Sequence, residues 1–186
     1  MQRLVIGITG ASGASLALEL LHQLKDYTHV EGHVVISAAA EMTLLHECDV
    51  SISEIKLLCS KLYNYLEIGA SIASGSFQTM GMVVLPCSMN SLAHLVHGIA
   101  DTLLIRACDV TIKERRPLIL VPREAPLSKI HLRNLLLASE LGAIILPPVP
   151  AYYQKPQTIT DLNQQITKKI LALLGISPLQ QEWQGL

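Results

Sequence analysis

Short runs rich in valine, isoleucine and leucine alternate with segments of helical period along almost the whole chain. This alternation predicts strands joined by crossover helices, which build a parallel sheet doubly wound by helices on both faces. We expect an α/β fold, a Rossmann-like or flavodoxin-like three-layer sandwich, in which residues 1–186 form a single domain and 175–186 its C-terminal tail. The predicted strands are 4–9, 33–37, 82–85, 118–121 and 143–146, and the predicted helices are 14–24, 38–46, 53–62, a stretch from 91, 101–114, 128–141 and 159–174.

The composition fits a sheet that is covered on both sides. Half of the residues are hydrophobic but only 4% are aromatic, so the apolar side chains are mainly aliphatic, as in the buried strands of parallel sheets. The mean hydropathy of +0.40 is high for a monomer. Subunit interfaces would bury part of this surface, so we expect a homo-oligomer.

Charge and segment length exclude several classes of partner. The formal net charge of −1 provides no basic field for nucleic acid, and no apolar run reaches the roughly 18 residues of a membrane span. The first strand begins at Leu4, which leaves no space for a signal sequence before it, and the four cysteines lack C-x-x-C spacing. We therefore expect a cytoplasmic protein with a small-molecule partner and without nucleic acid, membrane or metal.

The turn Thr9-Gly10-Ala11-Ser12-Gly13 follows the first strand, at the edge of the sheet where doubly wound proteins bind ligands. Its glycines let the backbone approach a ligand closely, and the helix that follows would offer N–H groups to an anion such as a nucleotide phosphate. The alternative is a turn that only caps the helix. Ser37 stands where a dinucleotide fold carries a ribose-binding acid, which argues against an NAD-dependent dehydrogenase.

A second polar loop, Pro86-Cys87-Ser88-Met89-Asn90-Ser91, follows the strand at 82–85. Its hydroxyl and amide groups could form another wall of the same site. An ordinary helix cap made by Ser88 or Ser91 is equally compatible with the pattern. His94 and His97 could share a metal by spacing, but no third ligand accompanies them.

Cationic side chains occur near the apolar faces of two predicted helices. Arg106 and Lys113 are seven residues apart, about 20° from each other around a helix, and share an edge that favours an anion. A solvated face, with Asp109 neutralising part of the charge, is the alternative. In the last helix, Lys169 is predicted within an apolar stripe, where it either extends past a small interface or reaches an anion. Leu162, Ile166, Ile170 and Leu173 form that stripe.

Two carboxylates are candidates for proton transfer. Glu124 follows Arg123 at the carboxyl end of the strand at 118–121, where an adjacent guanidinium favours the ionised form. Glu47 closes the helix at 38–46 and could equally be an ordinary surface residue of that helix end.

These motifs together make the chain resemble, nearly end to end, the UbiX-type flavin prenyltransferases, within the wider superfamily of homo-oligomeric flavin-containing cysteine decarboxylases. The resemblance is specific because the motifs agree in order and spacing. They are Gly10-Ala11-Ser12-Gly13, Ala73-Ser74-Gly75-Ser76-Phe77, Pro86-Cys87-Ser88, Arg106-Ala107-Cys108-Asp109-Val110, Lys113-Glu114-Arg115-Arg116-Pro117, Arg123-Glu124-Ala125-Pro126-Leu127 and Pro150-Ala151-Tyr152-Tyr153.

The resemblance implies a flavin-binding domain that joins the dimethylallyl group of dimethylallyl monophosphate to reduced FMN, at N5 and C6, without a metal. It also implies a dodecamer whose product, prenylated FMN, passes to a UbiD-type decarboxylase, as in ubiquinone biosynthesis. By the same resemblance, FMN contacts fall at Gly10, Ala11, Ser12, Ser37, Ser88, Met89, Asn90, Ser91 and Arg123; the prenyl phosphate lies among Arg106, Lys113, Tyr153 and Lys169; and Ser12, Glu47, Glu124 and Lys113 lie close to the chemistry.

One position departs from the family pattern, since Lys169 stands where the family usually has arginine, and a lysine cannot form a bidentate pair with phosphate. Two alternatives use the same fold. One is an FMN-dependent decarboxylase of cysteinyl substrates, whose catalytic histidine and Ala-Ser-Ala-Asn loop are not seen here. The other is a non-catalytic flavin-binding regulatory subunit, against which Glu47, Lys113, Glu124 and Tyr153 argue.

Overall fold

A computed structural model describes residues 1–178 of the chain, so residues 179–186, most of the predicted tail, lie outside the described residues. Strands and helices alternate as predicted. In chain order the elements are β1 (Gln2–Ile8), α1 (Ala14–Leu24), β2 (Val30–Ile36), α2 (Ala38–Cys48), α3 (Ile52–Leu58), β3 (Lys61–Tyr63), β4 (Gly81–Cys87), α4 (Met89–Val96), α5 (Leu103–Lys113), β5 (Leu118–Pro122), α6 (Lys129–Glu140), β6 (Ile144–Ile145) and α7 (Ile159–Leu173), with short 3₁₀ helices at Ser71–Ala73 and Tyr152–Gln154.

The sheet confirms the predicted fold class. Its six strands in the described part of the chain run parallel, in the order β3-β2-β1-β4-β5-β6. The chain winds outward from β1 to β3, returns to the centre at β4, and then winds outward in the other direction. The carboxyl ends of β1 and β4 therefore flank the switch point at which such sheets bind ligands.

The sheet separates two apolar layers, because successive strand residues face opposite sides. One layer includes Leu4 and Ile6 of β1 and packs against α1, α2, α3 and α7. The other includes Val5 of β1 and Met82 of β4 and packs against α4, α5 and α6. Any two side chains carried by α5 and α7 consequently lie on opposite faces of the sheet. No helix in residues 1–178 combines the length and apolarity that a membrane span requires.

The edge strand β3 was missed by the sequence pattern. The predicted helix 53–62 ends earlier, at Leu58, because Cys59 adopts an extended conformation (φ −130°, ψ 157°). Residues 61–63 then pair with β2. A strand of three residues is too short to show the two-residue alternation by which strands are recognised.

The predicted position of Lys169 within the buried stripe of α7 is wrong. The buried residues of α7 are Ile166, Thr167, Ile170 and Leu171, whereas Lys169 is exposed. The buried face of α7 is rotated relative to the predicted stripe because Thr167 packs inward. There its hydroxyl accepts a hydrogen bond from Gln23 Nε2 at 2.9 Å. A stripe drawn through aliphatic residues alone overlooks a buried threonine.

Candidate active site

The loops after β1 and β4 are joined by a buried threonine. Thr9 Oγ1 donates to the Pro86 carbonyl at 2.7 Å and accepts the Ser88 backbone N–H at 2.8 Å. The Thr9 side chain thus connects two loops that lie 77 residues apart in the chain. It fixes the position of Gly10 relative to Ser88, and both of these residues line the site. This function was missed in the sequence, because nothing local indicates a partner so distant in the chain.

A cleft of about 450 Å³ opens above this connection. Three of its lining residues, Ser37, Ser88 and Thr102, are the N-caps of α2, α4 and α5, and each side chain accepts the backbone N–H three residues further on. The positive ends of three helix dipoles therefore converge on one volume, which favours a bound anion. The other lining residues are Gly10, Ala38, Ala39, Tyr65, Asn90, Ser91, His94, Asp101, Leu104 and Ile105.

The first turns of α2 and α4 also contribute lining residues to the cleft. In α2 and α4 the earliest N–H groups, those of Ala38 and Asn90 among them, have no carbonyl within their own helix to bind. Gly10 permits this arrangement, since a Cβ built there would lie 2.3 Å from the Ala39 Cβ. Glycine at position 10 therefore allows the loop after β1 to lie against the first turn of α2.

The first N–H groups of α1, the helix after the glycine turn, bind a side chain from another helix. Gly13, the N-cap of α1, has a positive φ of 106° and no side chain to accept a hydrogen bond. Glu47 supplies the acceptor instead: its Oε2 receives the N–H of Gly13 at 2.9 Å and that of Ala14 at 3.0 Å. The expectation that this helix start offers unpaired N–H groups is therefore wrong for Gly13 and Ala14, because the chain's own carboxylate accepts both.

Glu47, in the last turn of α2, also brings together residues that follow β1 and β5. Burial acts to raise the pKa of Glu47, but hydrogen bonds from the Ser12 side chain and the Gly13 and Ala14 backbone, with the charge of Arg123, lower it overall. Arg123 is held at the neighbouring strand end by its backbone N–H, which donates to the Cys87 carbonyl at 3.2 Å. Ser12, Glu47 and Arg123 form the cluster that we call the Glu47 cluster.

Other predicted contacts are distributed around the cleft. Gly10, Ser37, Ser88, Asn90 and Ser91 line it. Ala11 is partly buried in the glycine turn, and Met89 packs against the apolar layer of α4 and α5. Glu124 is exposed, and its carboxylate accepts the N–H of Ala125 at 3.1 Å.

The cations of α5 have carboxylate partners on the same helix or at its C-cap. Arg106 Nη1 contacts Asp109 Oδ2 at 2.6 Å, and Lys113 pairs with Glu114. The neighbouring loop is held against them by Arg116, which donates to the carbonyls of Gly75 and Phe77. A Cβ at Gly75 would overlap Glu114, at 2.1 Å from its Oε1, so this glycine allows the loop to cover the end of α5.

The four predicted phosphate ligands do not meet within one chain. Arg106 and Lys113 lie on α5, on one face of the sheet. Lys169 lies on α7, on the other face. Tyr153 belongs to the short helix next to α7, where the Ala151 N–H donates to Gln165 Oε1 at 2.8 Å.

Several residues of the cleft were not predicted to line it, among them His94, whose spacing from His97 suggested only a metal site. Tyr65 and the pair His94–Asp101, whose Nδ1–Oδ1 distance is 3.2 Å, line it beside Thr102. The N-cap position of Thr102 could have been predicted, because a threonine directly before an apolar helical run is a typical N-cap. Tyr65 follows the unrecognised strand β3, so its position could not be deduced.

The fold and its anion-directed cleft at the switch point define a nucleotide-binding α/β protein, and the family model described as "Flavoprotein" matches residues 1–171. The chain is 48% identical over 188 residues to the flavin prenyltransferase UbiX of Escherichia coli K12, with 100% of both chains covered. The chain belongs to this family of UbiX-type flavin prenyltransferases, which confirms the resemblance seen in the sequence.

Two solved structures are similar in fold and sequence. The crystal structure of AnUbiX in complex with FMN and dimethylallyl pyrophosphate has a TM-score of 0.95 at 42% identity, covering 100% of this chain and 98% of that one. A dodecameric protein described as an FMN-dependent UbiX-like decarboxylase, from Escherichia coli O157:H7, has a TM-score of 0.95 at 43% identity, with full coverage of both chains.

Replacing Glu47 by glutamine tests its capping of α1. We expect E47Q to lower the free energy of unfolding by about 1 kcal/mol at pH 7, because the amide oxygen accepts these N–H groups without the negative charge that the helix N-terminus favours. Because the folded-state pKa of Glu47 is lowered, the carboxylate stabilises the fold above its unfolded pKa, and this contribution is lost as the pH falls through the lowered value. Urea denaturation at pH 7 and below pH 4 should show a smaller difference at low pH.

The matched control is E67Q, because Glu67 is an exposed carboxylate in a loop for which we identify no capping role. It should leave the free energy of unfolding nearly unchanged at both pH values. Equal effects of E47Q and E67Q would contradict the capping assignment.

Proposed function

We propose that this chain transfers the dimethylallyl group of dimethylallyl monophosphate to reduced FMN, in the cytoplasm, and supplies the prenylated flavin to a UbiD-type decarboxylase. New bonds form at flavin N5 and C6, and inorganic phosphate leaves. The observation that carries the proposal is the convergence of three helix N-termini on one cleft beside the Glu47 cluster, in a chain of the UbiX family.

The cleft suits the phosphate end of FMN. Its helix N-termini and serine hydroxyls provide donors, as a dianion requires. The ribityl hydroxyls can bond to the same polar rim, formed by Ser37, Ser88 and Ser91. These contacts hold the flavin by its charged end and leave its ring to be positioned by other residues.

We assign the flavin ring to the Glu47 cluster. Ser12 donates its hydroxyl hydrogen to Glu47, so its oxygen keeps lone pairs for an N–H of the reduced ring. Arg123 lies close enough to Glu47 for its charge to act on that carboxylate, and it can also contact a polar edge of the ring. The carboxylate therefore fixes the hydroxyl that orients the nucleophilic nitrogen.

The prenyl phosphate requires cations from two faces of the sheet. Breaking the allylic carbon–oxygen bond concentrates negative charge on the departing phosphate, which Arg106, Lys113 and Lys169, with the Tyr153 phenol, would stabilise. The second ring-forming bond requires a proton to leave carbon, and the departed phosphate or Glu124 could accept it. An aliphatic surrounding would keep water from the allylic cation.

Because these four groups are split across the sheet, we infer that a complete site forms between copies of the chain. The chain exposes many large aliphatic side chains that an assembly would cover. They include Ile130, Leu132 and Leu136 of α6, Met42 and Leu45 of α2, Ile159 of α7, and Val149 before α7. A dodecamer, as described for the UbiX-like protein of Escherichia coli O157:H7, is the assembly we propose.

Incubation of the purified chain with reduced FMN and dimethylallyl monophosphate, without oxygen, tests the activity. We expect the flavin to gain the mass of one five-carbon prenyl unit and inorganic phosphate to appear in equal amount. Mass spectrometry of the extracted flavin and a phosphate assay measure both. An unmodified flavin after incubation would contradict the proposal.

Mixed assemblies test the division of the phosphate site. K113A and K169A subunits should each be nearly inactive alone, because each removes a cation from every site. If a site combines α5 of one copy with α7 of another, denaturing and refolding the two variants together restores a fraction of the sites. Activity should rise several-fold above the mean of the separate variants, in a continuous phosphate-release assay.

The matched control mixes K113A with R106A, because both substitutions lie on α5. Each site takes α5 from one copy, so every site in this mixture lacks one of the two α5 cations. This mixture should recover little activity. Equal recovery in both mixtures, or none in either, would contradict the division across copies.

A further inference from the structure

The charge distribution within the cleft singles out one residue that the proposed function leaves without a role. Of the described residues that line the cleft, His94 has the only basic side chain and Asp101 has the only carboxyl side chain. A phosphate dianion in this volume therefore enters beside a carboxylate. Without a cation between them, the two like charges would repel each other.

His94 is placed to separate those charges. It lies on α4, three and four residues after Ser91 and Asn90, so all three side chains share the helix face that lines the cleft. The imidazole is partly buried, with 31% of the side chain exposed, and its Nδ1 lies 3.2 Å from Asp101 Oδ1. Within residues 1–178 the other ring nitrogen, Nε2, has no hydrogen-bond partner.

We propose that His94, oriented by Asp101, is the residue by which this chain selects the phosphorylated flavin, FMN, over riboflavin. An imidazole flanked by a carboxylate and a phosphate donates from both nitrogens as the imidazolium, with Nδ1–H to Asp101 and Nε2–H to the phosphate. The inference rests on the proposed function for the identity of the flavin. It concerns binding and not the transfer step.

A comparison of two ligands that differ by the phosphate tests the proposal. Dissociation constants for FMN and riboflavin are measured by quenching of flavin fluorescence, on the assembled wild-type protein and on H94A. We expect H94A to weaken FMN binding about tenfold or more, as the loss of a charge-assisted hydrogen bond does. Riboflavin binding should change less than about twofold, because riboflavin has no phosphate to contact.

Two further variants separate a phosphate contact from a structural effect. In H94A/D101N the carboxylate that would repel the phosphate is removed as well. The double variant should therefore bind FMN more tightly than H94A but less tightly than the wild type. H97A is the matched control, since His97 is exposed at the end of α4 and does not line the cleft. It should change neither dissociation constant.

Several results would overturn the proposal: equal losses for FMN and riboflavin in H94A, unchanged FMN affinity in H94A, or no recovery in H94A/D101N. A wild-type protein that does not prefer FMN to riboflavin would overturn it too. The outcome is independent of the prenyl-transfer assay. A protein that binds FMN through His94 but forms no prenylated flavin would retain this inference and refute the proposed function.

Discussion

The carboxylate of Glu47 at the N-terminus of α1 is the interaction on which the site depends. Gly13 begins that helix without a side chain, so Glu47, at the end of α2, receives the N–H groups of Gly13 and Ala14. The bond fixes two helices relative to each other. It also holds the Ser12 hydroxyl and fills the anion position that a glycine-rich turn usually offers to a phosphate.

The capping of α1 by Glu47 also affects where a second anion is favoured. With α1 already capped by a carboxylate, a second anion is favoured at α2, α4 and α5, whose caps line the cleft. The sheet separates that cleft's helix α5 from α7, so the proposed phosphate site, which takes cations from both helices, requires an assembly of copies. The proposed assembly would also cover many of the large aliphatic side chains that the single chain exposes.

Much of the fold could be predicted because it rests on local periodicity. The alternation of strands and helices and the use of loops after β1 and β4 both follow from the sequence pattern. Features that depend on tertiary partners could not be predicted. The capping of α1 by Glu47 joins residues 34 apart, the burial of Thr167 depends on Gln23 of another helix, and β3 is too short to show a period. Thr102 could have been recognised by its cap pattern, whereas Tyr65 and the His94–Asp101 pair could not.

The position of the flavin phosphate is the most direct test of the central claim that Glu47 displaces it from the glycine turn. A crystal structure of the assembled protein with FMN would locate the phosphate. We expect it within hydrogen-bonding distance of the α4 N-terminus and Ser88, with Glu47 still bonded to Gly13 and Ala14. A phosphate bound to the N–H groups of Gly13 and Ala14, with Glu47 moved away, would contradict the claim.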